Sequence, residues 1–252
     1  MISGLDAVVL VGAGILAGMV GTAGGIASLV SYPALLAVGV PVLAANVSNI
    51  VAVTVCGPGS ALASRPELRG WGAWLRRYMP VSILGAGAGT ALLLLTPPGV
   101  FRHVVPFLVA AGSLMLLFQP QLTARRALHD TPAGHLALLA TLPLIAAYNG
   151  YFGAGSGVMS LALLLMTADD RLPTANALKN VVLGGATAVS AVVLIAFGPV
   201  RWAAAAPLAA GMFIGSLLGP RVARRVPSAV LRPLVVLVGL GLATQLLISG
   251  GS

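Results

Sequence analysis

Long apolar segments alternate with short polar or arginine-bearing segments along most of this 252-residue chain. About 20 consecutive apolar residues suffice for a helix to cross a bilayer. The pattern therefore predicts a bundle of helices that lies in a membrane. The predicted apolar segments are 5–20, 26–38, 42–64, 78–95, 104–118, 133–148, 156–168, 174–197, 202–219 and 233–249.

Two of the segment boundaries are glycine-rich breaks within apolar sequence, the stronger at 149–160 and the weaker at 18–28. Glycine lowers the cost of non-helical backbone and lets another group approach closely. The segments 26–38 and 156–168 that follow are short for a full crossing, so we expect broken or re-entrant helices there. The glycines of the two breaks match at one constant offset, Gly18, Gly21 and Gly25 with Gly150, Gly153 and Gly157.

The two breaks belong to a repeat that extends over both halves of the chain. Residues 44–51 resemble residues 175–182, and residues 100–102 match residues 230–232. Three matches in the same order favour an ancestral duplication. The predicted fold is an all-α polytopic membrane protein with two inverted repeats, each with a glycine-broken helix pair and three spanning helices. The predicted parts of this single membrane domain are an N-terminal repeat (1–118), a cytoplasmic linker (119–132) and a C-terminal repeat (133–252).

The distribution of arginine predicts the orientation of the helices. Segments 65–77, 119–132 and 220–232 are arginine-rich, which is typical of cytoplasmic loops, whereas 96–103 and 198–201 are poor in Lys and Arg. Both termini are then predicted to lie outside. The arginine-rich loop 65–77 corresponds in the repeat to the arginine-poor loop 198–201, and the arginine-poor loop 96–103 corresponds to the arginine-rich loop 220–232. This is expected for halves that insert into the membrane in opposite orientations.

Composition supports a membrane protein and excludes several other classes. The chain is 58% hydrophobic and 8% charged, with a mean hydropathy of +1.03, so lipid is the expected surrounding of most residues. The net charge of +9 is carried between apolar segments, without a basic face interleaved with aromatics, so no nucleic-acid partner is expected. The only cysteine, Cys56, excludes an internal disulfide and a cysteine-based metal cluster. The first ten residues carry Asp6 and no Lys or Arg, so we expect the first apolar segment to be retained.

The helix starts after the two breaks are candidates for an anion site. Their first N–H groups lack intrahelical partners and lie at the positive end of the helix dipole. The alternative is that the glycines only permit close helix packing, which we favour for 85–89 and 211–219 but not for the two breaks. The predicted substrate-binding residues are Gly21, Thr22, Ala23, Gly24, Gly25, Ser28, Asn49, Gly153, Ala154, Gly155, Ser156, Gly157, Ser160, Lys179 and Asn180.

Lys179 is the only lysine, and it lies inside an apolar segment beside Asn180, with Ser48 and Asn49 at the matching positions of the first half. An ionisable group within a span is a functional candidate. The alternatives are that Lys179 extends to the cytoplasmic surface and that the two asparagines join helices. The five acidic residues lie in turns or at segment ends, so an anionic or neutral substrate is favoured over a cation.

Enzymatic activity is the weaker hypothesis, and no catalytic residue, metal site or cofactor is predicted. Ser156 between two glycines could be a protease nucleophile, but it would need a base, and all three histidines lie at segment ends or in loops. Cys56 as a thiol site, and Tyr148 and Tyr151 as cavity walls, are each weighed against simple packing. A Walker-type GxxxxGK[ST] motif does not occur in the sequence, so ATP drive would need another subunit.

The motifs at 21–25 (GTAGG) with 44–49 (AANVSN), and at 153–157 (GAGSG) with 175–180 (ANALKN), resemble the sulfite exporter TauE/SafE family, also called toluene sulfonate uptake permeases. The resemblance covers essentially the whole chain. It implies an inner-membrane carrier, embedded in the lipid bilayer, for a small sulfur-containing anion such as sulfite, a sulfonate or sulfoacetate. The main hypothesis is therefore a secondary transporter with alternating access; an anion channel and an intramembrane enzyme are the alternatives.

Overall fold

The computed structural model describes residues 2–117, 128, 129 and 131–223, together with 237, 241 and 244. Within this part of the chain the regular secondary structure is entirely α-helical, which confirms the predicted class. The helices are α1 (Gly4–Gly24), α2 (Ala27–Ala37), α3 (Val42–Val53), α4 (Cys56–Ala63), α5 (Gly72–Leu95), α6 (Pro98–Leu117), α7 (Pro132–Tyr151), α8 (Ser156–Thr167), α9 (Leu172–Phe197) and α10 (Trp202–Ala223).

Five helical stretches among the described residues are long and apolar enough to cross a membrane, with α3 and α4 counted as one. Their outward faces carry large apolar side chains; Leu84, Leu95 and Phe197 are each at least 75% exposed. Such faces are stable against lipid and costly against water. The protein is therefore a multi-pass membrane protein. The five stretches are Gly4–Gly24, Val42–Ala63, Gly72–Leu95, Leu172–Phe197 and Trp202–Arg221.

Several helices extend beyond the apolar segments that predict them. Helix α5 begins at Gly72, so Arg76 and Arg77 are helical rather than part of the predicted loop 65–77, and α6 begins at Pro98 rather than at 104. Hydropathy detects the apolar centre of a helix, whereas its ends depend on caps and on proline at the first position. The predicted segment 233–249, most of the linker 119–132 and the repeat match at 230–232 lie outside the described residues.

The apolar stretch Val42–Ala63 is interrupted between Val53 and Cys56, ahead of the Gly57-Pro58-Gly59 sequence. Pro58 lacks an N–H group, and its ring clashes with the carbonyl group four residues before it, which belongs to Thr54. The disruption therefore lies one turn ahead of the proline. At the same place, the Thr54 hydroxyl donates a hydrogen bond to the carbonyl oxygen of Ile50 at 3.1 Å.

Two helix pairs, α1 with α10 and α5 with α7, join the halves through glycine-bearing faces. A Cβ on Gly18 would overlap the backbone of Met212, and a Cβ on the matching Gly150 would overlap the backbone of Ala86. A Cβ on Gly211 or Gly215 would overlap the backbone of Val11 or Ile15, respectively. At the matching positions of the other pair, a Cβ on Gly85 or Gly89 would overlap the backbone of Pro143 or Ala147. Equivalent positions of the two halves therefore make equivalent contacts, and only glycine permits this closeness.

We expect Gly89→Ala to destabilise the protein by about 1–3 kcal/mol, because the added methyl group would overlap the backbone of Ala147. Gly87→Ala is the matched control in the same helix, since its Cβ would meet no atom within 4 Å. Thermal unfolding in detergent micelles measures the difference. Equal midpoints for the two variants would contradict this account of the α5–α7 interface.

Helices α4 and α9 cross and run in opposite directions. The repeat in the sequence matches residues of α3, at the start of the α3–α4 stretch, to residues of α9. Gly57 contacts Gly184, where a Cβ on Gly57 would lie 3.0 Å from the Gly184 Cα atom. On either side of this crossing, Asn180 reaches Ser60 and Thr54 reaches Thr187. Residue numbers thus rise on one helix as they fall on the other, so these two matching elements run antiparallel.

The turn before α9 is closed by an ion pair. The Arg171 guanidinium donates to both carboxylate oxygens of Asp169, at 2.8 Å to Oδ2, and the Arg171 N–H donates to Oδ1 at 2.7 Å. Burial acts to raise the pKa of Asp169, but the hydrogen bonds and charge of Arg171 outweigh it, so the pKa lies below its usual value. The pair closes the turn that leads into α9.

Candidate functional site

The two glycine-rich breaks lie in direct contact. A Cβ on Gly25 would lie 2.7 Å from the Cα atom of Gly157, and a Cβ on Gly157 would lie 2.8 Å from the carbonyl carbon of Gly25. Two backbones can approach this closely only where both residues lack side chains. The contact brings the end of α1 and the starts of α2 and α8 to one place.

The first break is shorter than predicted, because α1 continues through Gly24 and only Gly25 and Ile26 are non-helical. Gly25 has φ 80°, a left-handed conformation that favours glycine, and its N–H donates to the Gly21 carbonyl oxygen at 2.7 Å. Gly21, Thr22, Ala23 and Gly24 are therefore helical residues rather than part of the break. Local glycine content could not reveal this, because packing on α10 holds the last turn of α1 in a helix.

The second break is wider and spans 152–155. Gly153 and Gly155 have φ values of 86° and 83°, so both positions favour glycine. Phe152 anchors the segment, with its ring 5.4 Å from that of Tyr32 in an edge-to-face arrangement. The Tyr148 hydroxyl donates to the Ala154 carbonyl oxygen at 2.7 Å, which supports the segment from the other side.

The carbonyl groups at the ends of the broken helices receive hydrogen bonds from the opposite half. Asn176 and Asn180 both donate to the Thr22 carbonyl oxygen, at 2.7 and 2.9 Å. Asn46 donates to the Tyr151 carbonyl oxygen at 2.9 Å. These bonds neutralise the negative ends of α1 and α7.

The positive ends of α2 and α8 remain available. The N–H groups of Ala27, Ser28 and Gly157 donate no hydrogen bond within the part of the chain that the structure describes. All three residues lie on the wall of one cavity. With helix C-termini satisfied and helix N-termini free, the backbone around this cavity favours negative charge.

The cavity has a volume of about 70 Å³. About 10–15 Å³ suffices for one water molecule, so the space is adequate for a small polyatomic anion. Its walls come from both breaks, from α9 and from the α3–α4 junction. The lining residues are Gly21, Gly25, Ala27, Ser28, Val53, Cys56, Asn149, Gly153, Ser156, Gly157, Lys179, Asn180, Leu183, Gly184 and Thr187.

The structure places about half of the predicted binding residues on this wall. Those outside the wall support it or lie elsewhere: the Thr22 hydroxyl donates to Gly18 at 2.6 Å, and Asn49 donates to Ser28 at 3.0 Å. The Ser160 hydroxyl is buried without a hydrogen-bond partner among the described residues. The predicted residues on the wall are Gly21, Gly25, Ser28, Gly153, Ser156, Gly157, Lys179 and Asn180; those outside it are Thr22, Ala23, Gly24, Asn49, Ala154, Gly155 and Ser160.

Lys179 is buried on the cavity wall, with 1% of its surface exposed. Its ammonium group donates to the Gly21 carbonyl oxygen at 3.3 Å, across the interface between the halves. The alternative in which Lys179 extends to the membrane surface therefore does not describe this structure. A cation at this position can attract an anion into the cavity.

Two polar wall residues, Asn149 and Thr187, were absent from the predicted set. The Asn149 amide donates to the Thr187 hydroxyl at 2.9 Å, and its Oδ1 atom accepts from Ser156 at 2.7 Å. Asn149 directly precedes the first glycine of the stronger break, and this position in the sequence could have identified it as a candidate wall residue. Nothing in the sequence identified Thr187 as a wall residue, because it lies two helical turns after Lys179 within an ordinary apolar segment.

The described contacts give no support to a nucleophilic serine or to a metal site. The Ser156 hydroxyl donates to Asn149 Oδ1 and to the Gly153 carbonyl oxygen, both at 2.7 Å, and neither atom is a general base. His103, His129 and His135 bond to Gly99, Leu165 and Tyr78 instead. Among the described residues, no group of three or more His, Cys, Asp or Glu side chains could hold a metal ion.

Comparison with known proteins gives one family and a set of full-length relatives. The sequence pattern of the sulfite exporter TauE/SafE family matches residues 7–246. A probable membrane transporter protein of Sinorhizobium, ORF9, is 28% identical over 93% of this chain and 90% of its own length. Similar proteins of Haemophilus influenzae (27% identical, 94% and 93% covered) and Escherichia coli K12 (YfcA, 26%, 98% and 91%) are also described as probable membrane transporters. No solved structure gives a significant match.

Proposed function

Since the chain belongs to the sulfite exporter TauE/SafE family and is a membrane transporter of that type, we propose that it is a secondary transporter for a small sulfur-containing anion. The substrate is sulfite, a sulfonate or a sulfoacetate-like compound, and the membrane is the inner membrane. One observation carries the proposal. The cavity between the two breaks combines a buried ammonium group with free N–H groups at two helix starts.

The cavity chemistry supports an anion over a cation or an apolar compound. Lys179 contributes a positive charge, and the N–H groups of Ala27, Ser28 and Gly157 contribute partial positive charge from two helices. Among the described residues that line the cavity, none has a carboxylate side chain. The oxygen atoms of a sulfite or sulfonate group can accept hydrogen bonds from all of these donors.

Alternating access is the proposed mechanism, with the two halves as inverted repeats. Three observations support it: the matched helix contacts, the antiparallel crossing of α4 and α9, and the contact between Gly25 and Gly157. Helices related in this way can rock about a fixed central site and expose it to one side at a time. The arginine distribution supports an orientation with both termini outside.

A flux assay with protein in liposomes tests the function. We expect uptake of radiolabelled sulfite that saturates with concentration and that is accelerated by unlabelled substrate on the opposite side. Saturation with counterflow distinguishes a carrier from an anion channel, in which flux would not show counterflow. Absence of flux and of competition by sulfonates and sulfoacetate would reject the proposed substrate class.

Alanine variants of Asn180 and Asn176 can distinguish a loss of substrate binding from a loss of fold stability. Both amides donate to the Thr22 carbonyl oxygen, but only Asn180 lies on the cavity wall. We expect either alanine variant to lose about 1–3 kcal/mol of stability, with Asn180→Ala at the upper end, because Asn176 loses its bond to Thr22 and Asn180 also loses its bond to Ser60. Asn180→Ala should in addition weaken apparent sulfite affinity, whereas Asn176→Ala should not. Equal sulfite affinities in the two variants would show that Asn180 does not contribute to substrate binding.

A further inference from the structure

We infer that this cavity selects anions with a single negative charge, and that Lys179 is the residue that determines the preference. The inference rests on the proposed function and narrows it: within that substrate class the cavity favours hydrogensulfite and monosulfonates, and it disfavours sulfoacetate, which carries two negative charges at neutral pH. It follows from the partners of the ammonium group, from the charges around it and from the cost of burying unbalanced charge.

The Lys179 ammonium group has unused hydrogen-bonding capacity. It carries three N–H donors, and within the described part of the chain its one acceptor is the Gly21 carbonyl oxygen. The distance of 3.3 Å exceeds the ~2.7–2.9 Å that is usual for a charged donor. With 1% of the side chain exposed, solvent at the protein surface does not supply the missing acceptors. The remaining donors are therefore free to bind a ligand in the cavity.

No carboxylate balances this cation within the described residues that line the cavity. Among these described residues, the one other titratable side chain is the Cys56 thiol, from α4. Tyr78 of α5 bonds to His135, and Tyr148 and Tyr151 of α7 bond to the Ala154 carbonyl oxygen and to Thr96. The described acidic residues lie away from the site: Asp6 at the start of α1, Glu67 between α4 and α5, and Asp169 and Asp170 before α9.

Charge balance then selects the substrate. A monoanion next to one ammonium group gives a neutral buried pair, whereas a dianion leaves one unbalanced negative charge and a neutral ligand leaves the cation unpaired. Unbalanced buried charge is costly in a low-dielectric site. The N–H groups of Ala27, Ser28 and Gly157 stabilise the bound oxygen atoms with their partial positive charge, but they belong to uncharged peptide groups and add no net charge that could balance a second negative one.

Four small compounds of similar tetrahedral shape test the inference on the wild-type protein in detergent or nanodiscs, by isothermal titration calorimetry. They are methanesulfonamide (neutral), methanesulfonate and sulfamate (one negative charge each) and sulfate (two). We expect both monoanions to bind at least about tenfold more tightly than methanesulfonamide and sulfate, a difference of about 1.4 kcal/mol. Sulfamate separates the effect of charge from the apolar contacts of the methyl group.

Two patterns would overturn the inference while the proposed function stands: sulfate binding as tightly as the monoanions, or methanesulfonamide binding as tightly as methanesulfonate. A preference for methanesulfonate that sulfamate does not share would also overturn it, since the methyl group would then be responsible. Binding of none of the four compounds, together with absence of sulfite flux, would overturn both.

Variants of Lys179 assign the preference to that residue. In Lys179→Met, methanesulfonate and methanesulfonamide should bind with equal affinity, because the charge is gone. Lys179→Arg should keep the preference for the monoanions, because it keeps the charge. Retention of the preference in Lys179→Met would show that another group sets it. The comparison of the four compounds on the wild-type protein decides the charge selectivity even if a variant does not fold.

Discussion

Gly25→Ala is expected to abolish transport and to destabilise the protein by roughly 2–5 kcal/mol. Two effects combine at this position. An alanine at φ 80° is strained, and its Cβ would lie 2.7 Å from the Cα atom of Gly157. The two breaks would have to separate, and the cavity that both of them line would lose its shape. Flux in liposomes and thermal unfolding in detergent measure the two consequences.

Gly157→Ala separates these effects, because Gly157 has no positive φ and would suffer only the overlap with Gly25. It should therefore abolish transport at a smaller cost in stability. Gly24→Ala is the control from the same region, since its Cβ would meet no atom within 4 Å and the residue is helical. It should be active and as stable as the wild type or slightly more so. Wild-type flux in Gly25→Ala or Gly157→Ala would mean that the contact between the breaks is not needed.

Lys179→Met should reduce sulfite transport by roughly 30-fold or more without lowering the stability of the protein. Loss of the buried partner of an anion costs about 2–5 kcal/mol of binding free energy, and 1.4 kcal/mol corresponds to a factor of ten. The folded state, in contrast, no longer has to bury an ammonium group whose only described acceptor is 3.3 Å away. Methionine preserves the length and the apolar part of the side chain.

The control for this variant is Arg171→Gln, which removes an exposed cation at the start of the same helix. Its effect on flux should be small, because the group lies outside the cavity. A lower unfolding temperature for Lys179→Met, in parallel with the lost flux, would identify Lys179 as a cap of α1 rather than as a binding residue. Normal flux in Lys179→Met would reject both the anion site and the charge selectivity inferred from it.

The location of the candidate site could be predicted from the sequence to a useful extent. In the sequence, Gly25 and Gly157 stand out within the two glycine breaks, and Lys179 stands out as the single lysine, inside an apolar segment. The structure brings all three to one cavity. The prediction was too broad at Thr22 and Gly24, which are helical, and at Ser160, which lies off the wall. It missed Thr187, which reaches the cavity only because α9 crosses α4 beside Gly57 and Gly184.

The sequence alone determined that this is a helical membrane protein with two glycine breaks at matching positions, because hydropathy, glycine content and a constant offset are properties of the chain itself. The tertiary structure alone decided how far each break extends, which of its glycines touch, and which carbonyl group receives the ammonium of Lys179. Those outcomes depend on contacts between helices that are far apart in the chain, such as Gly21 with Lys179. The free energy of such contacts depends on how two helices pack, and neither segment specifies that by its own residues.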